Sequence, residues 1–365
     1  MENRTVLKLF GLIAPWLTWL FTLFLPGRNA SVAKNECANK CRIMGLVQSL
    51  GGYVDPEGKT PLSSIMEKCY ALGPFPALWA VEGVGKDLAE MRMKRGGEIT
   101  RLLIDTDLDA NWDKALLMLH AGIGLGFAKH YVEKLPAGAS NEEVTAAVRK
   151  IVDLCRANSK PGYYGAALES LGLVSRFMKT PAFCRQVHEA LVAHTSDSVD
   201  FFWRGAGRCL YFHPSNFVPG LGDRPCRAID MSKVEAPTPA LRECMLSGTA
   251  WPLNIVNMDT PEVMEWVLEH PEMYDVESPA FVNGVISSVV MRHDTTPGFE
   301  RLRTFRNHVP PTPKARALWE TKIKASIDFA IERVHPVLKK HQRLDEVFRY
   351  QDLGALIARL EKGSA

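Results

Sequence analysis

Five polar residues, Glu82, Tyr164, Arg204, Ser247 and Asn283, each stand immediately before a glycine set in an apolar run, and Ala121 holds the sixth such place. If these runs are helices that stack in register, the six positions form one column. A polar column on a close-packed apolar face implies that its members bond one another and fix register, line a cavity that binds a ligand, or take part in catalysis. Glu82 is the most chemically loaded member. Ala80, Val81 and Val84 surround it, so burial would raise its pKa toward neutrality unless a cation answers it. Arg204 or Arg208 supplies that cation only if the array curls, because three repeats separate them from Glu82. His120, beside Ala121, joins Glu82, Tyr164, Arg204, Arg208 and Asn283 as a candidate ligand-binding residue.

Other groupings carry less. His120 and His130 are ten apart on one run with nearly opposite azimuths, which argues against a shared metal. Arg292-His293-Asp294 resembles an acid and base cluster, yet Asp294-Thr295-Thr296-Pro297 reads more simply as the turn that starts a helix. Gly122-Ile123-Gly124-Leu125-Gly126 lacks the strand, lysine and spacing of a phosphate loop. The eight cysteines, at 37, 41, 69, 155, 184, 209, 226 and 244, are scattered through apolar runs as reduced core thiols would be; only Cys37 and Cys41 are close, four apart. No Cys-x-x-Cys pair, nucleophile elbow or His-Glu-x-x-His pair occurs, so no metal, cofactor or named catalytic residue is expected.

The elements that would position these residues follow from the glycines. Gly83, Gly122, Gly165, Gly205, Gly248 and Gly284 are 39, 43, 40, 43 and 36 residues apart. A period near forty residues marks stacked helix pairs. Glycine inside a helix costs roughly 1 kcal/mol against alanine, and close approach of neighbouring backbones is the simplest return on it. Gly205 and Gly207, two apart, would touch a neighbour on each flank. Thr-Pro dipeptides at 60, 180, 238, 260, 296 and 312 supply helix starts, the threonine hydroxyl capping and the proline having no donor to lose. Each unit is then a glycine-bearing helix, a turn and a more polar returning helix, such as Pro261 to Glu269 with Val263, Trp266 and Val267 on one face. The expected fold is all-α, an α-solenoid-like stack of about six helix pairs between residues 60 and 310. Pro61 to Tyr70 and Lys314 to Val334 cap it. Pro336 breaks the chain before a last basic helix from about Val337 to Leu360. The stretch from His213 to Pro239 reads as its longest loop.

From Leu9 to Gly27 nineteen residues carry no charge. As a helix they would span about 28 Å, close to a bilayer core. Trp16 and Trp19 near the middle and the kink at Pro15 leave a seat in one leaflet, a core-packed helix or a cleaved signal as rival readings to a full span. Arg28, Lys34, Lys40 and Arg42 outweigh Arg4 and Lys8, which favours a cytoplasmic body on a membrane-associated protein. The expected divisions are 1–30, a hydrophobic anchor helix; 31–335, the helical repeat domain; and 336–365, the basic C-terminal helix. The formal charge of +3 gives no reason to expect nucleic acid, but residues 301–349 carry twelve Lys and Arg against five Asp and Glu, a basic face that could meet anionic lipid or an acidic partner, or simply be solvated.

The runs Val81-Glu82-Gly83-Val84-Gly85, Leu119-His120-Ala121-Gly122-Ile123-Gly124, Arg204-Gly205-Ala206-Gly207-Arg208-Cys209-Leu210-Tyr211-Phe212 and Asn283-Gly284-Val285-Ile286-Ser287-Ser288 together resemble the helical family of domain of unknown function 1702, encoded beside enediyne polyketide synthases. The resemblance covers about residues 60 to 310. It implies an association with polyketide or lipid-like metabolism and supplies no catalytic residue. Three functions are therefore carried forward: a membrane-associated binding or scaffold protein for an apolar small molecule or partner protein; an enzyme acting on a long polyketide or isoprenoid-like substrate in a cavity lined by Glu82, His120 and Arg208; and a structural subunit of a membrane complex.

Overall fold

The computed structural model describes residues 27–49, 54, 59–216 and 227–363, and among these the chain is helical with no strand. The helices used below are α1 (Gly27–Ser49), α2 (Leu62–Ala71), α3 (Pro74–Arg95), α4 (Asp113–Lys134), α5 (Asn141–Asn158), α6 (Tyr164–Met178), α7 (Pro181–His194), α8 (Val199–Phe212), α9 (Ala228–Glu235), α10 (Pro239–Val256), α11 (Pro261–Glu269) and α12 (Pro279–Thr295). The six glycine-bearing helices α3, α4, α6, α8, α10 and α12 pack side by side in chain order. Between them the helices α5, α7 and α11 return the chain; α5 and α7 each bury one stripe, whereas α11 buries Val263 to Leu268 without a break, not only the face of Val263, Trp266 and Val267. Thr180, Thr238 and Thr312 cap their helices through the side chain, accepting from Phe183, Leu241 and Ala315. Thr296-Pro297 starts no helix: the next begins at Glu300.

Glycine sets the spacing of the row. A Cβ on Gly122 would strike the Glu82 carbonyl of α3, and one on Gly124, two residues on, the Ala167 carbonyl of α6. Gly205 and Gly207 repeat the device, facing Glu169 of α6 and Met245 of α10. Gly248 rests on Arg204, and Gly284 on Ser247. Two residues span about 200° of a helix, so a Gly-x-Gly pair opens both flanks of one helix to backbone contact. In α6 the close approach belongs to Gly172, against Phe202, whereas Gly165 meets the Phe201 ring.

The row turns back on itself. α12 packs against α4 as well as α10. Arg292 of α12 donates to the Pro74 carbonyl (3.1 Å), and Tyr70 of α2 donates to the Thr295 carbonyl (2.9 Å). Trp79 of α3 meets Trp251 of α10 edge to face at 6.1 Å. Helices from the two ends of the array thus share one core.

Three sequence expectations change. Asp294 belongs to the last turn of α12 and, instead of capping a new helix, accepts from His335 (2.9 Å) and Lys339 (2.7 Å). The C-terminal region is no single helix: a helical rod runs from 313 to 340 with π turns at Trp319–Lys324 and Ala330–Val334, then come a 3-10 turn, Leu344–Phe348, and a helix, Leu353–Lys362. Pro336 lies inside that rod, where the wider π turn just before it makes room for the ring. The stretch from His213 to Pro239 contains α9, with residues 217–226 outside the described residues. Many basic side chains of 301–349 are paired within the molecule, among them Arg306 with Asp328, Lys322 with Glu277, and both Arg343 and Arg349 with Glu346. Among the described residues no helix is long and apolar enough to cross a membrane. The hydrophobic stretch 9–27 lies outside them except for Gly27.

Candidate functional site

Arg204 and Arg208 are four apart on α8 and so share a face, and Gly205 between them brings that helix against α6. Glu169 of α6 answers both: Arg204 Nη1 donates to its Oε1 at 3.2 Å, and Arg208 Nη1 to its Oε2 at 3.1 Å. Arg208 Nη2 then reaches across to Glu82 Oε1 of α3 at 2.5 Å, a contact between residues 126 apart in sequence. This is the pairing that required a curled array. All four side chains are buried, and their formal charges cancel.

Burial pushes the Arg204 guanidinium down to about 10, with Glu169 opposing the shift. Burial also works against Arg208, but Glu82 and Glu169 together outweigh it and hold that group above its ordinary value. The aromatic faces of Trp251, 4.7 Å from Arg208, and Phe348, 5.6 Å from Arg204, cover what the carboxylates leave open. Phe348 comes from the C-terminal segment, which Asp345 fastens by accepting from the Gly165 N–H (3.0 Å) at the start of α6.

One end of this tetrad forms the floor of a pocket of about 260 Å³ between α1, α3, α4, α6 and α8. Glu82, Arg208 and Trp79 line its depth; Ile43, Val47, Leu125, Val174, Phe177 and Phe212 are among its apolar walls. At the mouth Lys86 and Lys129 share the Glu90 carboxylate, each at 3.1 Å. Burial works to raise Glu90, but the two lysines win and hold it below the usual carboxylate range.

The remaining sequence candidates lie elsewhere. His120 is fully buried: Nδ1 donates to the Leu116 carbonyl (2.6 Å), Nε2 accepts from the Lys160 N–H (3.0 Å), and the ring stacks on Tyr163. It does not line the pocket. Burial first, then the Lys160 charge, push it down to about 3 against the pull of the Leu116 carbonyl. His120 is therefore neutral in the fold and must gain a proton on unfolding in acid, so its contribution to stability is whole above pH 6.5 and lost as the pH falls toward 3. Proton uptake on unfolding within that window should fall by up to one proton in His120→Gln; an unchanged uptake would show that the buried imidazole does not drive the acid sensitivity. Tyr164 does not line the pocket and bonds the buried Ser198 (3.2 Å). Ser247 donates to Asn283 (2.7 Å), and Asn283 to the Gln351 carbonyl (2.8 Å), so this part of the column fixes register.

Glu169 is the member of this buried tetrad that sequence reasoning missed. Anchoring α6 at Gly165 placed Tyr164 in the column, whereas the helix makes its close contact through Gly172. The available signal was a carboxylate inside Gly165 to Leu171, a run with no polar face and hence buried all round. The helical array and its charge-balanced polar floor are defined by this chain's own geometry: comparison with protein-family models, with curated proteins and with solved structures finds no match in any of the three.

Proposed function

We propose that the protein is a non-catalytic binding protein whose pocket receives an elongated apolar small molecule, carried on a curled, solenoid-like array of helix pairs. The observation that carries this reading is an apolar pocket whose charged floor is already internally paired. Glu82 accepts from Arg208 and is no free base, and Arg208 is shared between two carboxylates. Purified protein extracted with organic solvent should release an apolar molecule detectable by mass spectrometry. Val174→Trp, which fills the pocket wall, should abolish it; equal amounts from both proteins would refute the assignment. An enzyme remains the second reading, favoured by Glu82 and Arg208 both lining the cavity. The resemblance of the glycine-bearing runs supports a place in polyketide or lipid-like metabolite biosynthesis.

The uncharged stretch 9–27 supports membrane association, with the body on the cytoplasmic side. Its burial at about 0.8 kcal/mol per methylene would exceed what a basic face largely paired within the molecule can offer. Deleting residues 1–26 should move most of the protein from the membrane pellet to the supernatant; sedimentation of the truncated chain with membranes at high salt would assign attachment to another surface.

A further inference from the structure

Three sulfur-bearing side chains share one stripe of α1. Cys37, Cys41 and Met44 stand four and then three residues apart, positions that lie one above another on a helix face. Cys69, Cys155, Cys184 and Cys244 belong to the main apolar core, whereas Cys37 and Cys41 form a cluster of their own with Met44 packed against it. Both cysteines are buried, and their thiols hydrogen-bond each other. That bond first, and burial after it, hold the Cys41 thiol above its ordinary value, while the charge of Lys40 pulls it down. Met44 is half-buried and belongs also to the wall of the pocket. The stripe therefore has an entrance: an ion in the pocket meets Met44 before the two cysteines.

The spacing separates two things that a pair of thiols can do. Side chains four apart on a helix hold their Cβ atoms about 5–6 Å apart. A disulfide needs about 3.5–4.5 Å, so oxidation would force α1 to give way. A metal ion seated between the sulfurs spans the larger gap and leaves the helix intact. The donors then choose the metal. Among the described residues no three His, Cys, Asp or Glu side chains are grouped to hold an ion. Zinc, which takes nitrogen, thiolate or carboxylate ligands in a set of four, and the oxygen-seeking magnesium and calcium are therefore not served. Two thiolates and a thioether are soft donors, and soft donors select monovalent copper. We propose that Cys37, Cys41 and Met44 form a three-sulfur site for a Cu(I) ion, entered from the pocket. Binding breaks two S–H bonds and makes two copper–thiolate bonds, and the Met44 sulfur donates a lone pair as third ligand. The two protons leave to solvent and the copper stays monovalent. One negative charge remains on the complex, within the field that Lys40 already exerts on Cys41.

The test uses the purified full chain, reduced and free of oxygen, with Cu(I) supplied as its acetonitrile complex and bathocuproine disulfonate as the competing chelator. The wild type should retain one Cu(I) per chain at chelator concentrations that strip Cys37→Ser and Cys41→Ser bare, and should release two protons per ion bound. Met44→Leu keeps an apolar side chain of similar size at the pocket wall and should lose its copper at a lower chelator concentration than the wild type. Independently of any variant, X-ray absorption of the loaded wild type should show a shell of three sulfurs around copper. Failure of the wild type to retain copper, equal retention by either serine variant, a Met44→Leu protein indistinguishable from the wild type, or a shell with nitrogen, oxygen or fewer than three sulfurs would overturn the inference. The apolar-ligand reading rests on the pocket and not on these sulfurs, and would stand in each case.

Discussion

Replacing Glu169 with alanine should lower the unfolding free energy by about 3–5 kcal/mol, the cost of leaving buried charge without its partner. Among the described residues Glu169 alone bridges the two arginines of α8; without it Arg204 keeps no carboxylate there, and Arg208 keeps only Glu82. Arg204 has the most to lose. Among the described residues its Nε and Nη2 already lack hydrogen-bond partners, and burial already depresses it to about 10. Adding Arg204→Met to Glu169→Ala should restore part of the loss, because the double variant no longer buries an unmatched cation. Urea denaturation of the three proteins checks this. A Glu169→Ala cost below about 1 kcal/mol, the worth of an exposed pair, would mean that water or rearrangement serves the guanidiniums.

Gly207→Leu should destabilise by about 3 kcal/mol or more, at or beyond the upper end of ordinary overpacking. The atoms a Cβ would strike are the carbonyl and Cα of Met245, main chain of α10 that cannot swing aside, so α8 and α10 must part. Gly207→Ala should already cost measurably, since the collision is with Cβ itself. Gly45 provides the opposite sign within the same protein. It too lies inside a helix, but among the described residues a Cβ there meets nothing within 4 Å, so Gly45→Ala should be neutral or stabilising by up to about 1 kcal/mol. Thermal melts of the three variants separate close packing from helix propensity. An unchanged melting temperature in Gly207→Leu would remove packing as the reason for the glycine.

The effects of Glu169 and Gly207 are linked through α8. Gly205 lets α8 approach α6 closely enough for Arg204 and Arg208 to meet Glu169, and Gly207 does the same toward α10, where Trp251 covers Arg208. Backbone contact therefore sets the distances on which the polar floor depends. A modest separation at either flank should reach the pocket before it unfolds the molecule.

What the sequence determined by itself is what nearest neighbours along the chain determine. Apolar periodicity and Thr-Pro caps specify helices, and both act within a few residues. The forty-residue glycine period specified that helices touch, and Gly205 with Gly207 specified contact on two flanks, because azimuth on a single helix follows from residue count. Glu82, Arg204 and Arg208 were legible as charges in apolar surroundings. Only the tertiary structure decided which of them meet. The turn of the row back on itself depends on small rotations between successive helices, which no local pattern encodes, and it brings Glu82 to Arg208 across 126 residues. The same rotations left His120 between Leu116 and Lys160, paired Tyr164 with Ser198, and put Glu169 between the two arginines. In a buried run without a polar face every azimuth is apolar, so the sequence could mark Glu169 as buried but could not say against what.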